Sequence, residues 1–189
     1  MNCTSDYLDY DKVLNKGLSL LNDHKKCRLG FYLIFSINSG LRISDVLNVK
    51  HSDLEGDKIF IIEKKTKKPR EITLNDTVKK AYVKLVAMLT EANEKFNNED
   101  YIFISQKGSV YKTQSINDIL KTLFNSKKLQ ISSHSLRKSF ARRVYTINNE
   151  SENSLVLLSD IFSHTNISCT RRYLGLRQET ISNVYLTLM

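Results

Sequence analysis

The sequence predicts an α+β fold dominated by helices, with a small antiparallel sheet. Three observations carry that expectation: apolar residues recur at helical spacing along most of the chain, β-branched residues cluster on either side of the only proline, and no internal repeat is present. The 189 residues can bury one substantial core, and residues 1–189 are read as a single domain.

Tyr10, Val13, Leu14, Gly17, Leu18 and Leu21 fall on one stripe, which predicts an amphipathic first helix. A second helix is expected over residues 25–39, ended by Gly40, because glycine readily takes the left-handed conformation that stops a helix. Arg42 follows that stop and opens the short segment RISDVLNV. The runs KIFIIEKK and REITL, separated by TKKP, read as a β-hairpin with a basic tip. Helical spacing returns over residues 76–96, and YIFIS followed by GSVYK reads as one more short extended pair. Further helices are expected over residues 114–125, 135–147, 154–162 and 178–188. The last would place Ile181, Val184, Tyr185 and Leu188 on one face, either folded on the chain's own core or docked on a neighbouring protomer.

Lys and Arg number 29 against 20 Asp and Glu, a formal charge of +9 that attracts a polyanion. Nucleic acid is the expected partner. The longest apolar run, LGFYLIFSI, has nine residues and is too short to span a bilayer, and no leader pattern opens the chain, so a cytoplasmic location without membrane association is expected. Cys3, Cys27 and Cys169 are odd in number and widely spaced, which indicates neither a disulfide framework nor a zinc site. Cys169 reads as a small buried filler.

Four segments carry residues suited to an anionic substrate. Arg42 lies in SGLRISDVL, and its plain alternative is a surface ion pair with Asp45 at i+3. Lys65 lies where the first hairpin strand meets the tip; residues 58–73 hold six Lys or Arg against two Glu, and composition alone singles out none of them. His134 and Arg137 stand three apart in HSLRKSFARR, either on a solvated helix face or converging on one anion. His164 and Tyr173 lie in FSHTNISCTRRYLG, and Tyr173 is one of nine tyrosines.

In their order and spacing, GLRISD, a hairpin with K-T, H-x-x-R, and a histidine nine residues before a tyrosine resemble the tyrosine recombinases, or phage integrase family. The resemblance covers residues 25–185 and implies the helical catalytic domain of that family. It implies that Arg42, Lys65, His134, Arg137, His164 and Tyr173 are the catalytic set, with Asp45 orienting Arg42. Lys64 or Lys67 takes the place of Lys65 if the hairpin register is shifted. Lys64, Lys67, Lys68, Arg70, Lys138 and Arg142 are expected to contact DNA. The chain departs from the family pattern in reading FSH where many members have LGH. Only 41 residues precede Arg42, so the usual helical DNA-clamping domain is expected to be absent.

The chemistry fits these residue types. Guanidinium groups stay protonated and offer paired donors to the phosphate oxygens on which charge gathers. A tyrosine with a pKa of about 10 needs neighbouring cations and a base to act as nucleophile. The resemblance gives those parts to the arginines and His134, gives Lys65 the protonation of the leaving 5′ oxygen, and implies a 3′-phosphotyrosine intermediate. No cofactor is expected, nor a metal, since the motifs do not gather the several carboxylates of a two-metal site. Double-stranded DNA is the implied partner, with a homotetramer on paired sites and a monomer expected without DNA. The rival readings are a type IB topoisomerase-like strand relaxation, a non-catalytic DNA-binding or regulatory protein, and, more remotely, a metal-dependent nuclease.

Overall fold

The computed structural model describes residues 5–125 and 128–187, with residues 177–181 described by backbone alone. Among the described residues there are nine α-helices, one short 3₁₀ turn and a two-stranded antiparallel sheet. The chain forms two compact units, Met1–Phe140 and Ala141–Met189.

In the first unit, α1 (Tyr10–Leu21) starts at Asp9, whose carboxylate accepts the Lys12 amide at 2.7 Å. Helix α2 (Cys27–Ser39) is buried almost all round, which is why its apolar run shows no polar face. Contact between α1 and α2 is backbone-close: a Cβ on Gly30 would lie 2.5 Å from the Leu21 nitrogen and 2.7 Å from the Gly17 carbonyl oxygen. Only glycine fits there. Around α2, Phe31 stacks on Phe103 with centroids 5.8 Å apart, and Tyr32 meets the same ring edge-on. Arg28 is buried beside them, donating to the Ile102 carbonyl at 2.7 Å and pairing with Glu94.

Helix α2 ends at Gly40, with φ of 59°. The short helix α3 (Ile43–Val46) and a 3₁₀ turn (Ser52–Leu54) lead to β1 (Lys58–Ile62) and β2 (Pro69–Thr73), paired from Lys58↔Thr73 to Ile62↔Pro69. Pro69, expected in the hairpin tip, instead opens β2, a position where a missing N–H is tolerated. Residues 63–68 form the turn. Helix α4 (Asp76–Glu91) is capped by Asn75 and stops before the expected Phe96; Asn93 is left-handed, and Phe96 stacks on the His51 ring at 4.3 Å.

The expected second extended pair reduces to isolated bridges. Ile104 pairs with Val110 about a tight turn, while the Ile102 amide donates to Val49 and Tyr101 bridges to Lys50. Five residues separate Ile104 from Val110, and the YIFIS backbone is shared with residues 49–51. Helices α5 (Thr113–Leu123) and α6 (Ser133–Ile147) follow.

The second unit holds α7 (Glu152–Phe162), α8 (Ile167–Leu174) and α9 (Leu176–Thr187), with Leu155, Leu158, Phe162 and Leu174 buried. Helix α8 was not among the expected elements. On α9, Val184 and Tyr185 are 54% and 70% exposed, so neither packs on the chain's own core; the Ile181 side chain and Leu188 lie outside the described residues, as does Cys3. Cys27 is buried, whereas Cys169 is only half-buried and not the sealed filler expected. No helix among the described residues is long and apolar enough to cross a membrane.

Candidate active site

The first unit gathers four of the six candidate residues about the C-terminal end of α2. A helix end leaves carbonyls without intrahelical donors and carries partial negative charge. Here arginines supply the donors: Arg70 Nη2 reaches the Ser39 carbonyl at 2.9 Å and Arg137 Nη1 reaches the Gly40 carbonyl at 2.8 Å. Arg137 is 4% exposed, so this bond fixes a buried guanidinium. Gly40 is demanded twice, by its positive φ and by Phe140, whose ring carbon would lie 2.4 Å from a Cβ. The sequence motif SG thus places two carbonyls for two arginines.

Arg42 stands two residues beyond Gly40, at the N-cap of α3. Its Nη1 donates to Glu63 Oε2 at 2.6 Å, and Glu63 is 2% exposed. The same carboxylate accepts the Thr66 hydroxyl at 2.7 Å and faces Arg70 Nη1 at 3.4 Å. Burial pushes the Glu63 carboxyl up, but the Thr66 hydroxyl, Arg42 and Arg70 outweigh it and hold the group below the usual carboxylate range. Asp45, expected to orient Arg42, instead accepts the Lys64 amide at 2.9 Å through Oδ1, while its buried Oδ2 has no hydrogen-bond partner among the described residues. The carboxylate on Arg42 is therefore Glu63, which sequence reasoning missed. Its signal was available: Ile59, Ile61 and Glu63 alternate onto one face, so an acid follows two apolar residues pointing inward.

Lys65 is exposed in the 63–68 turn, with no hydrogen-bond or ion-pair partner among the described residues. Lys64, Lys67 and Lys68 are likewise exposed. Arg70, expected to reach DNA, turns inward to Glu63 and Ser39, because β-alternation places it opposite Ile61 on the core face.

His134 is the second residue of α6, one turn before Arg137. Desolvation by its neighbours, followed by the charges of Arg137, Lys65, Arg42 and Lys138, lowers its pKa below the usual imidazole value. All four cations thus act on one ring. Lys138 is itself lowered by burial, against the opposing charge of Asp6. Ser139, on the same helix, donates to the Leu8 carbonyl and accepts the Leu8 amide, tying the N-terminal segment to α6.

The second unit carries His164 and Tyr173. Ser163 ends α7 in the left-handed conformation, and the His164 amide returns to the Ser159 carbonyl at 2.9 Å. His164 Nδ1 shares a 2.8 Å hydrogen bond with the hydroxyl of Thr170, which is fully buried in α8. Tyr173 lies in the last turn of α8, between the Asn166 cap and left-handed Gly175. Its ring meets Phe162 edge-on at 5.4 Å and His164 at 5.7 Å, so three rings pack against one another. Arg142 stands 3.9 Å from Glu150 and near the Tyr145 ring. Among the described residues, no three His, Cys, Asp or Glu side chains are grouped to hold a metal ion.

Comparison with known proteins gives the family. The sequence profile described as the phage integrase family matches residues 10–180. The chain belongs to the phage integrase family. This integrase-family chain is 28% identical over 178 residues to the probable integrase/recombinase YoeC of Bacillus subtilis (strain 168), a match spanning 93% of the chain and 91% of that protein. It is 30% identical over 151 residues to tyrosine recombinase XerD of Oceanobacillus iheyensis, covering 78% of the chain but 50% of XerD. Its fold superposes on the XerH site-specific recombinase bound to difH substrate with a TM-score of 0.69, at 21% identity, over 96% of the chain and 53% of XerH. The chain thus spans nearly all of YoeC and about half the length of XerD and XerH.

Proposed function

We propose that the chain cleaves and rejoins double-stranded DNA site-specifically through a 3′-phosphotyrosine intermediate. The observation that carries the reading is the cation cluster of the first unit: Arg42 and Arg137, fixed by Glu63 and Gly40, act with Lys65 on His134. Such fixed donors suit a phosphodiester whose nonbridging oxygens gain charge in the transition state. Tyr173 supplies the attacking oxygen. Its bond to phosphorus forms as the 5′ oxygen–phosphorus bond breaks, the phenolic proton passes to His134, and Lys65 gives a proton to the leaving 5′ oxygen. Its lowered pKa keeps His134 neutral, and so able to accept that proton, below the pH at which a free imidazole would be charged. In this reading the Thr170 hydroxyl, 2.8 Å from Nδ1, donates to it, so that His164 carries its proton on Nε2 and offers it to a phosphate oxygen.

Lys64, Lys67, Lys68 and Lys138 contact the DNA backbone in this reading. Exchange between two duplexes needs four nucleophiles, so four copies of the chain act on paired sites. A relative named as a tyrosine recombinase and a fold neighbour named as a site-specific recombinase support this reading over the alternatives.

The test is a nicked DNA carrying candidate sites, which traps the intermediate. A covalent adduct formed by wild type in the presence of EDTA, and lost in Tyr173→Phe, is expected. Relaxation of supercoiled plasmid without a specific site would favour the topoisomerase reading, no adduct would favour a binding protein, and loss of cleavage with EDTA would favour a metal nuclease.

A further inference from the structure

We infer that Glu63 is a positioning residue that couples Arg42 to the turn bearing Lys65, so that one buried carboxylate sets both the phosphate clamp and the general acid. The inference rests on the proposed strand-transfer reading. Glu63 directly follows β1 as the first residue of the turn, and it is buried. Oε2 takes both the Arg42 guanidinium, at 2.6 Å, and the Thr66 hydroxyl, at 2.7 Å. Lys65 lies between Glu63 and Thr66 in the chain, so the segment presenting the ammonium is pinned at both ends by one carboxylate.

The backbone repeats the tie. Glu63 donates its amide to the Lys68 carbonyl at 3.0 Å and accepts the Lys67 amide at 2.9 Å, with Lys67 in the left-handed conformation at φ 57°. Arg70 faces Oε1 at 3.4 Å while bound to the Ser39 carbonyl, linking the same carboxylate to the end of α2.

The arrangement leaves Arg42 competent. A guanidinium has five N–H donors, and Glu63 uses one of them, at Nη1. Glu63 never meets the reacting atoms in this account; it acts through Arg42 and through the turn. A displacement of about 1 Å at such groups costs on the order of 100-fold in rate.

The experiment compares single-turnover adduct formation on two nicked substrates, one with the ordinary 5′ oxygen leaving group and one with sulfur in its place. A thiolate departs without protonation, so a misplaced general acid is forgiven on sulfur and a misplaced arginine is not. Glu63→Gln is expected to lose about 10- to 100-fold on oxygen and recover only part of it on sulfur. It should bind DNA no more weakly than wild type, because one negative charge is gone. Thr66→Val keeps the Arg42 pair and releases only the turn; it should lose about 10-fold on oxygen and return to within about two-fold of wild type on sulfur. Both variants within about two-fold of wild type on oxygen would overturn the inference, as would equal losses for Thr66→Val on both substrates. Should Glu63→Gln fail to fold, Thr66→Val decides alone. A wild-type chain that forms no adduct on either substrate fails the underlying reading instead.

Discussion

The end of α2 and the Tyr173 helix hold their candidate residues by opposite means. In the first unit, Arg42 and Arg137 are locked by buried hydrogen bonds to Glu63 and to the Gly40 carbonyl. In the second, Tyr173 leans on the edges of two rings, and the shared Thr170 bond steadies His164. A clamp for a tetrahedral phosphate must not yield as charge develops, whereas a nucleophile has to travel between attack and release. The difference teaches that substitutions in the first region should cost folding and activity together, while those in the second should cost activity with little loss of stability.

Arg137→Ala tests the first half most severely. Under the proposed mechanism this removes a transition-state donor and should lower adduct formation by about 10²–10³-fold. Leaving the Gly40 carbonyl without its donor should also destabilise the chain by roughly 1–3 kcal/mol, read in a urea titration. A variant that keeps full stability would break the comparison.

Gly40→Ala comes next. A left-handed alanine costs roughly 1–2 kcal/mol, and the 2.4 Å approach to Phe140 adds overpacking of about 1–3 kcal/mol. A loss of about 2–5 kcal/mol in chemical denaturation is expected, with adduct formation falling too because Arg137 shares this carbonyl.

His51 sharpens the same point through pH. It is buried, shares a 2.9 Å hydrogen bond with the Tyr82 hydroxyl, and is lowered to about 4 by burial and then by the charge of Arg28. The unfolded chain therefore binds the proton first as pH falls below about 6.5, so this contribution to stability is present above that pH and is lost on the way down to about 4. The loss should reach roughly 3 kcal/mol at most, at 1.36 kcal/mol per pH unit. His51→Gln should flatten the acid side of the stability curve measured by urea melts.

Thr170→Val is the smallest change and the test of the second unit. In the proposed mechanism the hydroxyl sets the His164 tautomer, so adduct formation should fall about 10-fold. Stability should drop by about 1 kcal/mol, the worth of one buried hydrogen bond. A larger destabilisation would place Thr170 with the structural locks.

Much of this was legible in the sequence because it rested on local signals. The helical stripe of α1, the Gly40 stop and the β-branched hairpin are written in a few adjacent residues, and the structure follows them. Spacing also drew attention to Arg42 and Arg137, which the structure brings to the same helix end. Helix α8 was missed although Asn166 and Gly175 bracket it as cap and stop, because its eight residues offer barely two turns of periodicity. The partners of the candidate residues were not legible. Glu63 lies 21 residues from Arg42, and the Gly40 carbonyl meets a side chain 97 residues away, so only the folded chain pairs them. The Lys65 turn was located by the β-branched runs on either side of it, and reading the strand alternation as well would have taken Arg70, opposite Ile61, out of the DNA-contacting set.

Nine tyrosines leave the nucleophile open to a direct measurement. The covalent adduct formed on nicked DNA, trimmed by nuclease and digested by protease, should place the nucleotide remnant on the peptide containing Tyr173 and on no other tyrosine. A remnant on a different tyrosine, or on serine, would contradict the account.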